Sequence, residues 1–265
     1  MEMGLSLKLI QISDPHLFAA IEGSLLGMNT LHSLHCVTEL ICQQHKQIDC
    51  LLVSGDLSQD GSVASYRHLQ QALEHFNCKV LWFEGNHDNP ASMQQVAVAA
   101  GYLQRVVCAG RWQLILLNSQ VDGAVFGQLD ESQLQLLEQA LQQQPELHTL
   151  ISLHHHPLPM GSAWLDDIGL QNAAEFNAIV QRYPQVRGVL WGHVHQHSDR
   201  NINGVRYLSS PSTCVQFKPS SAKFALDNQP PGYRWLTLHD DGSIDTGVGR
   251  VSGIDFSVDL AGTGY

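Results

Sequence analysis

The sequence predicts an α/β fold built from strand–helix–strand units with substantially parallel pairing. Short apolar runs alternate with segments of helical periodicity through most of the chain. Five of those runs end in small polar clusters rich in Asp, Asn and His. Strong hairpin signals gather only after Trp191, so the chain is expected to begin as α/β and to finish as antiparallel β.

The elements follow in order. Residues 8–13 form an apolar-rich run that stops at Asp14-Pro15, and a glycine-containing loop continues through Gly27. Leu31, Leu34, Val37, Leu40 and Ile41 recur at helical spacing, predicting a helix over 30–44 with Asn29 as its N-cap. Residues 50–54 read as a strand. Residues 62–76 read as a helix through Val63, Tyr66, Leu69, Leu73 and Phe76, and 79–83 as a strand. Asn89-Pro90 places a cap before proline at the first helical position and opens a helix toward Gly101. A strand is expected over 111–118. Asp130-Glu131-Ser132-Gln133 resembles a capping box ahead of Leu134, Leu137 and Leu141. Strands over 149–153 and 186–191 flank a helix over 172–181. Asn203-Gly204 centres one hairpin over 200–207, and Asp240-Asp241-Gly242 joins strands over 233–239 and 243–248 in another. We expect one domain over 1–250 and a glycine- and serine-containing tail or strap over 251–265.

The 265 residues suffice to bury a large core without disulfides. The six cysteines form no Cys-x-x-Cys pair, and several lie in apolar runs, as expected of buried free thiols. No basic, apolar leader opens the sequence and no apolar run approaches about 18 residues, so a cytoplasmic protein with no membrane partner is expected. The net charge of −11 argues against nucleic acid as a partner. An anionic substrate then requires a site that carries its own cations.

The five clusters supply that possibility. They are Asp14-Pro15-His16, Gly55-Asp56, Gly85-Asn86-His87-Asp88, His154-His155-His156 and Gly192-His193-Val194-His195. All follow apolar runs, and in an open α/β sheet ligands collect at the carboxyl ends of strands. Carboxylate, amide and imidazole donors without thiolate suit paired first-row divalent metals. Asp14 and His16, like His193 and His195, are two residues apart and can aim the same way along an extended segment. Asp56 has two oxygens and can bridge two ions. Asn86 offers a neutral amide oxygen, which leaves His87 to face the substrate. Successive side chains alternate, so three adjacent histidines cannot share one ion; His154 is the expected ligand, with His155 and His156 behind it or in solvent. Gly192 is expected to let the backbone turn. His197 is expected to lie beyond reach.

This series resembles the calcineurin-like metallophosphoesterases from Asp14 to His195. The resemblance implies two packed mixed β-sheets flanked by helices, a four-layer α/β/β/α sandwich, with a dinuclear centre above the strand ends. Carried over position by position, one metal falls to Asp14, His16, Asp56 and His195, and the other to Asp56, Asn86, His154 and His193. The segments Gly23-Ser24-Leu25-Leu26-Gly27-Met28-Asn29-Thr30, His154-His155-His156-Pro157-Leu158-Pro159 and Pro211-Ser212-Thr213-Cys214-Val215-Gln216-Phe217-Lys218-Pro219 are similar to the bacterial class III cyclic-AMP phosphodiesterases. That narrower resemblance implies two divalent ions, iron or manganese with zinc as the alternative, and a small cyclic nucleotide as substrate. It further implies attack of a metal-bridging hydroxide on 3′,5′-cyclic AMP to give 5′-AMP. His16, Asp56, Asn86, His87, His154 and His195 would face the substrate, with His87 as the catalytic residue. A relative acting on other phosphodiesters or nucleotide pyrophosphates would carry the same metal ligands, and a non-catalytic binding module could keep the same fold.

Overall fold

The computed structural model describes residues 6–264. Its elements are β1 (Leu7–Ile12), β2 (Ser24–Leu25), β3 (Met28–Asn29), α1 (Thr30–Gln44), β4 (Cys50–Ser54), α2 (Val63–Leu73), β5 (Lys79–Phe83), α3 (Pro90–Ala97), β6 (Val106–Ala109), β7 (Trp112–Leu116) and α4 (Glu131–Gln143). There follow β8 (His148–Leu153), α5 (Ala163–Asp166), α6 (Ala173–Arg182), β9 (Val186–Trp191), β10 (Ser198–Ile202), β11 (Val205–Ser209), β12 (Gln216–Phe217), β13 (Leu226–Asp227), β14 (Gly232–Leu238) and β15 (Ile244–Arg250).

Two mixed sheets stack face to face. One has the order β15-β14-β1-β4-β5 and the other β10-β11-β9-β8-β7-β6. The alternation of side chains along each strand divides the interior into three cores. In β1, Leu9 joins Leu52, Leu81 and Phe83 against Trp112, Leu114, Leu150 and Leu190 of the facing sheet. Ile10 and Ile12 point the other way, onto Leu34 and Val37 of α1 and Tyr66 and Leu69 of α2. Ile115, Ile151 and Val189 of the second sheet meet Leu137, Phe176 and Ile179 of α4 and α6. Each such fully buried aliphatic side chain contributes about 1.5–3 kcal/mol. The layers are therefore helix, sheet, sheet, helix.

The expected caps form. Asn29 accepts from the His32 N–H, Asn89 from Ser92 and Asp130 from Gln133; Ser62, read from the sequence as the first helical residue, is instead the cap of α2 and accepts from Ser65. The capping box at 130–133 closes on one side only: the Gln133 side chain instead accepts from the Asn118 N–H at 2.9 Å, tying α4 to the loop after β7. The helix opened by Pro90 stops at Ala97, and residues 98–101 are turns. Asn203 (φ 54°) and Gly204 (φ 85°) are both left-handed, as a two-residue hairpin of this twist requires.

The antiparallel C-terminal part does not form a layer of its own. β11 pairs parallel to β9 and extends the second sheet, while β14 pairs antiparallel to β1 and extends the first. Arg234 of β14 joins the sheets. Its buried guanidinium donates to the carbonyls of Ser209 (2.8 and 3.0 Å) and Ser198 (3.0 Å). Residues 251–264 contain no helix or strand; the Asp259 N–H donates to the Leu26 carbonyl at 2.8 Å, and Phe256 packs against two of the cores. Among the described residues no helix is long and apolar enough to cross a membrane, and all six cysteines are free.

Candidate metal centre

The seven candidate ligands sit just past the carboxyl ends of strands from both sheets. Asp14 and His16 follow β1, Asp56 follows β4, Asn86 follows β5, His154 follows β8, and His193 and His195 follow β9. Asp14, His16, Asp56, His154, His193 and His195 are buried; Asn86 and the neighbouring His87 are half-buried and form the rim.

The backbone at these positions is unusual. Among the described residues eight non-glycine residues have positive φ, and five of them are candidate ligands: Asp14 (53°), His16 (47°), Asp56 (49°), His193 (64°) and His195 (46°). For an L-residue this conformation costs about 1–2 kcal/mol. Bonds between the loops hold it. Asp14 N–H donates to the Gly55 carbonyl (3.2 Å), His16 N–H to Asp56 (2.9 Å) and Thr213 N–H to Ser13 (3.0 Å). The Ser212 hydroxyl donates to the Asp14 carbonyl at 2.8 Å. Two glycines permit the close approach. A Cβ on Gly55 (φ 83°) would strike the His154 ring, and one on Gly192 would strike Ser13 Oγ and the Ser54 carbonyl. Gly192 is not in the left-handed region, so its glycine answers a need for room and not the turn expected from the sequence.

The donor atoms converge. His16 Nε2 and His195 Nε2 are 3.2 Å apart. His154 Nε2 is 3.2 Å from both Asn86 Oδ1 and Asp56 Oδ2. Asp56 Oδ2 also lies 3.7 Å from His16 Nε2, whereas its Oδ1 accepts from the His87 N–H at 2.9 Å. Asp56 thus presents one oxygen, Oδ2, toward imidazoles on both sides. Asp14 accepts from the His193 N–H (3.0 and 3.2 Å) and faces His195 Nε2 at 3.5 Å. Donors about 2.1 Å from a shared ion lie about 3.0–3.4 Å apart, the spacing of His16 with His195 and of His154 with Asn86 and Asp56.

Each imidazole is also turned by its second nitrogen. His16 Nδ1 donates to Gln59 Oε1 (2.7 Å), His154 Nδ1 to the Ser54 carbonyl (2.9 Å), His195 Nδ1 to the Val215 carbonyl (2.8 Å) and His193 Nε2 to the Ile168 carbonyl (3.1 Å). Such bonds select the coordinating atom: Nε2 in His16, His154 and His195, and Nδ1 in His193.

The charge pattern suits cations. Burial raises both carboxyl groups, but neighbouring imidazoles outweigh it, His195 foremost at Asp14 and His154 at Asp56. Both are held below the usual carboxylate range. Burial takes His16 down to about 3 and, with the imidazoles around it, pushes His193 well down, so both are neutral donors. At His154 burial is opposed by Asp56 and Asp14, which hold the ring at about 9. In the metal-free protein a proton therefore occupies a place that a cation would take.

His87 lies beside this cluster, its ring in edge contact with His16 (centroids 5.1 Å). His155 and His156 are buried, which rules out the solvent contact expected for them as one alternative. His155 contacts Ser119 Oγ (2.8 Å) and donates to the Val125 carbonyl (3.1 Å), and the His156 ring stacks on His193 (centroids 5.8 Å). His197 is exposed and contacts Arg250.

Sequence reasoning placed Asp88 in the third cluster but missed its role. Its buried carboxylate accepts from the N–H groups of Leu57, Ser58 and Gly85 and from the Tyr66 hydroxyl, clamping the loops after β4 and β5 together. Burial and the Asp56 charge raise it to about 7. It also missed Gln59 and Phe217, whose ring stacks on His195 (centroids 4.1 Å, 8° between planes). Phe217 lies in the 211–219 segment, so that stretch was visible but its contact was not. Nothing in the sequence singles out Gln59.

Two stacked mixed sheets, with carboxylates and imidazoles gathered at their strand ends, define a metallophosphoesterase with a site for two divalent ions. The chain belongs to the calcineurin-like phosphoesterase family, whose sequence profile matches residues 7–197. It is 46% identical over 260 residues to the 3′,5′-cyclic adenosine monophosphate phosphodiesterase CpdA of Pseudomonas aeruginosa, covering 98% of this chain and 96% of that protein. It is 44% identical over 260 residues to the phosphodiesterase of the same name from Escherichia coli K12, covering 97% and 94%. Among solved structures, a dimetal phosphatase from Danio rerio superposes with a TM-score of 0.63 over 93% of this chain and 99% of that one. At 14% identity that likeness is one of fold.

Proposed function

We propose that this protein is a metal-dependent phosphodiesterase that hydrolyses 3′,5′-cyclic AMP to 5′-AMP. The observation that carries the chemistry is the closure of the donors into overlapping sets within 4.8 Å: Asp14–His16–His195, His16–Asp56–His87, Asp14–Asp56–His154 and His154–His155–His193, with Asp56 in two of them. The substrate rests on the relatives, which match this chain over nearly its whole length and are named for that hydrolysis.

Asp14, His16, Asp56 and His195 would hold one ion, and Asp56, Asn86, His154 and His193 the other. Iron or manganese suits this oxygen- and imidazole-rich set, with zinc as the alternative. Bound there, the ions supply an activated water and neutralise charge on the phosphoryl oxygens. The rest falls to the chain itself. His16, Asp56, Asn86, His87, His154 and His195 surround the phosphodiester. His87 stands at the rim with its backbone tethered to Asp56, placed to give a proton to the departing 3′-oxygen. His155 and His156 fill the space behind His193 and orient it. Residues 1–250 act as one catalytic domain and 251–265 as a tail or strap, with 1–5 and 265 outside the described residues. A net charge of −11 leaves nucleic acid without an electrostatic foothold, and six free thiols fit the cytoplasm.

The test is hydrolysis of cyclic AMP, cyclic GMP and bis(p-nitrophenyl) phosphate by protein reconstituted separately with iron, manganese and zinc, with products separated chromatographically. Preferred cleavage of cyclic AMP to 5′-AMP is expected. A fully metallated protein that cleaves the artificial diester and ignores cyclic AMP would overturn the substrate; one inert toward all three would overturn the reaction.

A further inference from the structure

Three of the four candidate histidine ligands are oriented by main-chain carbonyls, those of Ser54, Ile168 and Val215. A carbonyl is present whatever the residue. His16 differs: its Nδ1 donates to the side-chain oxygen of Gln59 at 2.7 Å. Gln59 is itself fixed. Its N–H donates to the Leu17 carbonyl at 2.8 Å, and Leu17 bridges to Ser58, so the residue is pinned against the loop that carries Asp14 and His16. His16 is fully buried. Loss of the Gln59 oxygen would leave its ring N–H without this acceptor, and the ring could turn over or move its proton to Nε2. Either change withdraws the nitrogen that faces His195 at 3.2 Å.

We infer that Gln59 is a positioning residue for the first metal. By accepting the Nδ1 proton it holds His16 in the tautomer whose Nε2 can coordinate, and so governs occupancy of the Asp14–His16–Asp56–His195 set without touching substrate. A neutral amide orients the ring without adding charge; a carboxylate at the same place would orient it and strengthen it as a donor. The inference rests on the dinuclear reading given above.

Gln59→Met keeps the volume and removes the acceptor, and Gln59→Glu restores an acceptor. Metal-free protein would be titrated with zinc in chelator-buffered solution and bound ions counted by mass spectrometry. For Gln59→Met, one of the two binding steps should weaken by about 10–100-fold and the other should hold. The melting temperature of its metal-free form should stay within about 2 °C of the parent. Gln59→Glu should recover both steps. Two unchanged steps in Gln59→Met would overturn the inference. So would equal loss of both steps together with a lower metal-free melting temperature, or a Gln59→Glu as defective as Gln59→Met. Should Gln59→Met fail to fold, imidazole nitrogen NMR of the zinc-loaded parent decides: a proton on His16 Nδ1 supports the assignment and one on Nε2 overturns it. A parent protein that binds only one ion would overturn the dinuclear reading and this inference with it; a parent that binds two, with Gln59→Met indistinguishable from it, would overturn this inference alone.

Discussion

At His87 two demands meet, because its backbone N–H serves Asp56 while its ring stands at the rim beside His16. Replacing the ring should leave the Asp56 contact intact. For His87→Ala we expect two ions per chain to be retained and turnover of cyclic AMP to fall by about 10²–10⁴-fold. Metal analysis alongside kcat checks this; parental turnover in a fully loaded variant would remove His87 from the reaction. The candidate donors were legible because the chemistry restricts them to few residue types, placed directly after apolar runs. The residues that orient them were not. Gln59 looks like any other glutamine in a chain rich in them, and carbonyls of Ser54, Ile168 and Val215 leave no trace in a sequence. The left-handed backbone of Asp14, His16, Asp56, His193 and His195 was equally invisible, since Asp and His are enriched at positive φ but adopt it in only a minority of their positions.

Among the elements, those with their own periodicity and caps were read closely. The helix over 30–44 and the strands over 50–54, 79–83 and 186–191 have the expected ends. β2, β3, β12 and β13 have two residues each, too short for any period to show. β6 is a four-residue edge strand whose partner, β7, is what defines it. The loops between strand and helix depend on contacts of long sequence separation, and Gly192 illustrates this. In Gly192→Ala the added methyl meets Ser13 and Ser54 in the wall between the sheets. We expect a loss of about 1–3 kcal/mol in urea unfolding, with poorer metal uptake because His193 and His195 are displaced together. A variant with the parent's stability and metal content would show that the loop relaxes freely.

For the whole molecule, the two-sheet sandwich was implied by resemblance, while the destination of the C-terminal strands was not. Hairpin signals announce strands but not which sheet receives them, and β11 and β14 went to different sheets. The site gathers two buried carboxylates and five left-handed candidate ligands, an arrangement that bound cations would further stabilise. Metal removal should therefore register globally. At free metal about 100-fold above the dissociation constant, binding adds about 2.7 kcal/mol. Chelation should then lower the melting temperature by about 5–11 °C, by the usual 2–4 °C per kcal/mol for chains of this size. Scanning calorimetry with and without chelator reads it, and coincident transitions would mean that the ions do not bind the folded state tightly.

The pairing of Leu7 with Leu238 has a consequence for biosynthesis. β1 waits for a neighbour synthesised long after it, and the histidines at 193 and 195 likewise follow far behind Asp14 and His16. A nascent chain can assemble β1, β4 and β5 but has an open flank and half a cage. Closure of the candidate metal centre is thus postponed until the residues after β9 have been made, and a chain stopped before β9 would lack both His193 and His195.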